Sequence, residues 1–208
     1  MIKLQPVVLD GQHIQLKPLE SRHHAELCEI GLDIELWRLT SNQLQTSDDM
    51  RQYIQTALND METGTALPFV IVEKETGTII GSSRYHSLNQ INRRLVIGHT
   101  WIATKWQRTV VNTEAKYLML QHAFEELGCV RVEFIVNGIN DRSRSAMLRI
   151  GATHEGMLRN YTIGKDGQPR DVALFSITDT DWPQIKNDLE LKLQRLPNKL
   201  DLNPQSKG

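Results

Sequence analysis

Cysteine is scarce: Cys28 and Cys129 are the two in 208 residues. Neither stands in a C-x-x-C pair or a Cys/His cluster, which argues against a structural zinc site and against a disulfide framework. An excess of one charge is missing too, with 24 basic and 25 acidic side chains and a formal net charge of -1. The basic bias of a nucleic-acid-binding chain is therefore absent, and no nucleic-acid partner is expected. No run of roughly 18 apolar residues occurs. Met1 to Asp10 lacks the apolar stretch of a secretory signal. These absences predict a soluble protein of the reducing cytoplasm with no metal and no membrane partner. What is present is a 39% share of hydrophobic residues, enough for a core and against global disorder. The length fits one domain, read as residues 1–196, with a loose polar tail over 197–208 beyond the stop at Pro197.

His13 to Leu19 alternates apolar and polar residues, which predicts a strand. Ser21 is placed to cap a helix from Arg22 to Leu32, and Asp33 to Leu39 reads as a second short helix. Ser47 or Asp48 is placed to cap a third, with Met50, Ile54, Ala57, Leu58 and Met61 at helical spacing and Gly64 beyond its end. Leu67–Glu73 and Thr78–His86 then read as a hairpin across Thr76-Gly77, followed by a strand over Leu95–Ala103. Val111–Leu127 is a predicted helix with a broad apolar face. Cys129–Val136 alternates as a strand. Asn140 is placed to cap a short helix that Gly151 closes. His154–Ile163 and Arg170–Ile177 read as strands joined by a turn at Lys165-Asp166-Gly167, and Asp181 as the cap of a last helix. Strands joined by turns pair antiparallel and a strand-helix-strand unit pairs parallel. The order therefore predicts an α+β protein with a mixed sheet and flanking helices.

The segment that bears most on chemistry is Trp106-Gln107-Arg108-Thr109-Val110-Val111-Asn112-Thr113. It joins a strand to a helix N-terminus, where unpaired backbone N–H groups and the helix dipole suit a phosphate or pyrophosphate. Arg108 adds a potential charge-assisted contact. Read alone, such a Thr/Asn cluster also suits a plain helix cap.

The run I-G-H-T-W-I-A-T-K-W-Q-R-T-V-V-N-T-E-A from Ile97 to Ala115, the N-D-R-S at Asn140 to Ser143 and the R-I-G-A-T-H-E-G at Arg149 to Gly156 together resemble the GNAT acyltransferase superfamily. The likeness is strongest to its branch of bacterial ribosomal-protein N-terminal acetyltransferases and spans about Leu9 to Lys186. It implies a mostly antiparallel sheet with one splayed parallel strand pair. It implies acetyl-CoA as co-substrate and an amine as acceptor, and it admits a homodimer. Amides of Gln107, Arg108, Thr109, Val110, Val111, Asn112 and Thr113 would hold the CoA pyrophosphate. The strand at Trp101, Ile102 and Ala103 would part from the strand around Glu133 to Val136 to admit the pantetheine arm. Asn140 would hydrogen-bond that arm, and Ser143 would lie near the thioester sulfur. A backbone N–H near Ile102 would serve as oxyanion donor.

The chain departs from the family pattern in two ways. The signature Q/R-x-x-G-x-G/A has Val110 and Asn112 at its glycine positions, so Val110 must point away from the phosphates. The glutamate that often precedes Ile-Gly as general base is Val96, and the tyrosine that often follows is His99. The usual tyrosine acid after Asn140 is missing. His99 becomes the first choice for a proton relay because an unperturbed imidazole titrates near neutrality, with His86 and Glu133 behind it. Ser143 is placed either to donate to the leaving thiolate or to serve as a first-turn helix residue bonding its own cap. An α-amine titrates near pH ~8 and a lysine amine near ~10.4, so a site without a strong base suits the α-amine. Val96 and Val110 also motivate a second reading, a catalytically weak acyl-CoA sensor of the same fold. Glu155 is a possible contact for a cationic acceptor. The predicted acceptor region, Arg22 to Met61, holds Trp37, Arg38, Asp48, Asp49 and Arg51, a mixed set that selects no acceptor.

Overall fold

The computed structural model describes residues 2–40, 42–164 and 166–195. The predicted tail over 197–208 and the stop at Pro197 lie outside the described residues, as does Lys165 of the predicted turn. The strands are β1 (Leu9–Asp10), β2 (Ile14–Pro18), β3 (Leu67–Glu73), β4 (Ile79–Asn89), β5 (Arg94–Ile102), β6 (Arg131–Asn137), β7 (Thr153–Ile163) and β8 (Pro169–Thr178). The helices are α1 (His24–Gly31), α2 (Ile34–Trp37), α3 (Ser47–Glu62), α4 (Val111–Gln121), α5 (Asp141–Arg149) and α6 (Trp182–Arg195). One sheet runs in the order β1-β2-β3-β4-β5-β6-β8-β7. All of its pairings are antiparallel except β5 with β6. That exception follows from connectivity, because β5 and β6 are joined by α4 and a helical crossover returns the chain in the same direction.

Both faces of the central sheet are covered. One core joins Phe69, Ile71, Tyr85, Leu95 and Ile97 of the sheet to Ala115 and Met119 of α4 and to Trp182 and Leu189 of α6. The other joins Val70, Val72 and Trp101 to Leu27, Trp37, Met50 and Ile54 of the first three helices. Alternate residues of β3 thus enter different cores. That is why Leu67–Glu73 reads as an unbroken apolar run rather than an alternating one.

Two predicted caps move. Helix α3 is capped by Thr46, not by Ser47 or Asp48, with Thr46 and Asp49 bonding each other's backbone N–H in a capping box. Its acid is an aspartate where the commoner pattern has Glu or Gln. The first helical segment opens as a 3-10 turn over Ser21–His23, with Glu20 at the cap position and α1 following from His24. Asp33 and Asn140 do cap α2 and α5. Helix α4 is α-helical only to Gln121 and continues as a π-helical turn over His122–Glu126.

Candidate active site

Strands β5 and β6 are paired at Arg94, Leu95 and Val96, against Arg131, Val132 and Glu133. Pairing stops there, although β5 runs on to Ile102 and β6 to Asn137. A bulge starts the separation. Arg84 pairs with Gly98 and Ser82 with Trp101, so His99 and Thr100 together oppose the single residue Ser83. His99 takes the extra residue's strain with φ 49, a left-handed value uncommon for a non-glycine residue. Gly98 is needed just before it, because a Cβ there would meet His86 Nε2 at 2.4 Å.

The bulge is held from the α4 side. Lys116 is 2% exposed and donates from Nζ to Thr100 Oγ1 at 2.6 Å. Thr100 Oγ1 also lies 2.7 Å from Ser83 Oγ, and the ammonium stands 5.7 Å over the Phe134 ring on β6. Burial lowers the Lys116 pKa to about 7. A lysine among the apolar residues of α4 was the available signal for this group. Glu114, also buried, accepts from the backbone N–H groups of Gln12 and His13 and so fixes the β1–β2 turn.

The loop before α4 lies at the open end of β5. Thr104–Trp106 forms a 3-10 turn, and Arg108 adopts φ 62. The left-handed residue is therefore Arg108, while Val110 has φ -62. Val110 and Val111 are 6% and 1% exposed, with their side chains turned into the protein. No glycine is required at Val110 or Asn112, and neither side chain's presence blocks the backbone by conformation. Among the described residues, the amides of Arg108, Thr109, Val110, Asn112 and Thr113 meet no protein acceptor, whereas Val111 N–H donates to Thr109 Oγ1 at 3.3 Å. Gln107 N–H donates to Thr104 O, so this one amide of the predicted set is committed. The Gln107 side chain spans the open end of the gap, donating to Ile102 O at 2.9 Å and accepting from Arg142 of α5 at 2.7 Å.

On the far side of the gap, Asn140 Oδ1 accepts from Ser143 N–H at 3.0 Å. This is the capping role, and it leaves the Asn140 amide NH2 available. The Ser143 hydroxyl is half-buried and has no protein partner among the described residues. Ala103 N–H donates to Ile80 O, so it is not open to a ligand. Trp101 places its ring 5.5 Å from Trp37 in the helical core, where its buried Nε1 has no partner. Only its backbone faces the strand gap.

The predicted bases fare differently. Glu133 accepts from Arg94 and Arg131, each at 2.7 Å. Arg131 also donates to Glu155 at 2.6 Å, and that contact with Ser176 holds Glu155 at about 2. Both carboxylates are paired with arginine within the protein, while Glu155 stays on an exposed face. The expectation of a near-neutral imidazole at His99 fails. His99 keeps an exposed edge at the mouth of a recess, but crowding by protein atoms, then Arg84 and His86, lowers its pKa to about 3. Burial and Arg84 bring His86 to about 4. The two rings meet edge to face at 5.0 Å. Both are neutral at pH 7 and neither is a strong proton acceptor.

That recess is lined by Asn42, Leu44, Asp49, Gln52, Tyr53, Thr56, Arg84 and His99. Six of these eight residues fall within the predicted acceptor region Arg22 to Met61, though of the five singled out there only Asp49 is among them. Trp37 is buried in the helical core, Arg51 pairs with Asp48, and Arg38 faces Glu35. Arg84 was missed, and Tyr53, inside the predicted region, was not singled out. An arginine inside the apolar strand Ile79–Tyr85 was the available signal.

The arrangement is thus a run of open amides before α4, a strand pair parted beyond Val96 and Glu133, and a recess lined in part by Arg84 and His99. A family model described as "Acetyltransferase (GNAT) domain" matches residues 13–153. The chain is similar to the "Putative ribosomal N-acetyltransferase YdaF" of Bacillus subtilis, 26% identical over 183 residues, covering 83% of this chain and 94% of that one. It superposes on a GCN5-related N-acetyltransferase from Brucella melitensis with a TM-score of 0.84 at 26% identity, covering 92% and 87% of the two chains. Mycobacterium smegmatis RimJ in complex with CoA-disulfide shares the fold, with a TM-score of 0.74 at 24% identity over 92% and 94%. The chain belongs to the GNAT acetyltransferase family and is an N-acetyltransferase. Among the described residues no cluster of His, Cys, Asp or Glu suits a metal ion, and no helix is long and apolar enough to cross a membrane.

Proposed function

We propose that this enzyme acetylates a primary amine of low basicity, a peptide N-terminal α-amine or a small amino compound, by direct attack in a ternary complex with acetyl-CoA. The observation that carries the reading is the sheet gap beyond Val96 and Glu133 with five uncommitted amides at its open end. These donors and the dipole of α4 suit a diphosphate, and exposed Arg108 adds charge. The name of the YdaF relative, a putative ribosomal N-acetyltransferase, supports an amine acceptor of the ribosomal kind.

Acetyl-CoA supplies a thioester carbonyl and a thiol leaving group. The chain's own residues do the rest. Asn140 offers its free NH2 to the arm in the gap, and Ser143 offers its hydroxyl to the sulfur. Beyond Val96 the β5 backbone has no pairing with β6, and an N–H of that stretch, near Ile102, would be the donor to developing oxygen charge. His99 and His86, both neutral, add no repulsion to an incoming amine. The carboxylates considered as bases, Glu133 and Glu155, are both held by arginines, so the amine arrives deprotonated and its proton leaves to water.

Thiol release measured with an α-amine peptide and with an Nα-blocked lysine peptide tests this. At pH 7 the neutral fractions differ by more than about a hundredfold, and kcat/KM should differ at least that much in favour of the α-amine. Equal turnover would overturn the proposal.

A further inference from the structure

Arg84 has no place in the chemistry above. It lies on β4 under the acceptor recess and is 4% exposed. Its guanidinium carries five N–H donors. One reaches Asp60 Oδ2 at 3.4 Å, long for a charge-assisted bond, which normally lies at about 2.7–2.9 Å. Asp60 itself is 45% exposed. The Tyr53 ring, 5.5 Å from the guanidinium carbon, covers one face. Nε is buried with no partner. The other acid at the recess, Asp49, accepts from Gln45 N–H, Thr46 N–H and the Thr46 hydroxyl in its capping box. A buried cation so poorly matched is costly unless a further acceptor completes it. Arginine's planar fork fits a carboxylate with two parallel bonds.

We propose that the acceptor carries a carboxylate close to its amine and that this carboxylate docks on Arg84. This rests on the acetyltransferase reading and narrows it. Arg84 is then a specificity-determining residue. It lies on the same strand as His86 and under the bulge of His99, so an acceptor anchored on it presents its amine toward the gap. A peptide with an acidic second residue and a free α-amino acid offer the same group.

The test uses the intact protein and matched acceptors. Ser-Asp and Ser-Asn peptide amides differ by one charge at nearly equal shape and share the same α-amine. The expected result is kcat/KM at least about tenfold higher for Ser-Asp, as for about one charge-assisted hydrogen bond, carried mainly by KM. Free serine set against serinamide reads the acceptor's own carboxylate, and a preference for serine supports the proposal equally. Arg84→Met should bring the preferred pair's ratio to about one. A folded Arg84→Met variant that keeps the full ratio would overturn the proposal. Should that variant not fold, the wild-type ratios decide. Turnover of both members of each pair at equal rates refutes the carboxylate and spares the acetyltransferase reading. Binding of CoA with no turnover of any acceptor refutes both.

Discussion

The two sides of β5 are built from different materials. On the α4 side of its open end the groups open to a ligand are backbone: amides of Arg108, Thr109, Val110, Asn112 and Thr113, and the unpaired stretch after Val96. On the other side they are side chains: Arg84, Tyr53, His86 and His99. A backbone site tolerates substitution, because every residue but proline keeps its N–H. Val110 and Asn112 can therefore replace the family's glycines once the positive φ moves to Arg108. A side-chain site has no such tolerance, and its specificity changes with each replacement.

The largest expected break in that contrast comes from removing one amide. Asn112→Pro lies in the first turn of α4, where proline is tolerated, and deletes a donor to the diphosphate. CoA affinity should fall about tenfold to a hundredfold, the range for a hydrogen bond to a charged group, with little change in melting temperature. Calorimetry reads it. Alanine at Asn112, which keeps the N–H, should bind nearly as the wild type does. An alanine variant as weak as the proline one would mean that the side chain, not the backbone, carries the contact.

The second break concerns Lys116, the side chain beneath the backbone bulge. Its folded pKa of about 7 lies below the ordinary 10.5. Between those values the unfolded chain holds more protons than the native one. Native stability should therefore rise with pH across that window relative to Lys116→Met, by up to about 1.4 kcal/mol per unit. Denaturant melts of the two proteins from pH 7 to 10 read the slope, and parallel curves would contradict a charge-free buried amine.

His86 gives the opposite-facing test. Its pKa falls from 6.5 to about 4 on folding, so its contribution is complete above 6.5 and is lost as pH falls through that window. His86→Asn should flatten the acid limb of the stability curve. The rate, by contrast, should rise from pH 6 to 8 with the neutral fraction of the acceptor amine and show no inflection from an imidazole.

The smallest effect separates strain from binding. Arg108→Gly relieves a left-handed residue at φ 62 and should raise stability by about 1 kcal/mol. It should also weaken CoA binding several-fold, since a charge is lost while the amide remains. Stability and affinity would thus move in opposite directions.

The same division explains what could be read from sequence. The order of strands and helices and the mixed sheet were legible because they rest on periodicity and caps tied to local sequence. The capping roles of Asp33 and Asn140 were legible for the same reason. The Thr46 cap of α3 was missed because its box closes with Asp49. The recess was legible only in part, because six of its eight residues fall within Arg22 to Met61 but Arg84 does not. Arg84 and Tyr53 are separated by 31 positions and meet only when β4 lies under α3. The suppressed basicity of His99 depends on neighbours brought by the bulge, which no local pattern announces. Glu133 and Glu155 looked free in sequence and are both claimed by Arg131.

The most direct test is an amide-resolved NMR titration with CoA. Arg108, Thr109, Val110, Asn112 and Thr113 should show the largest N–H shifts at saturation, with Ala103 and Val111 moving less because their protons are already engaged. Binding that leaves those five resonances in place, or no binding at all, would contradict the account.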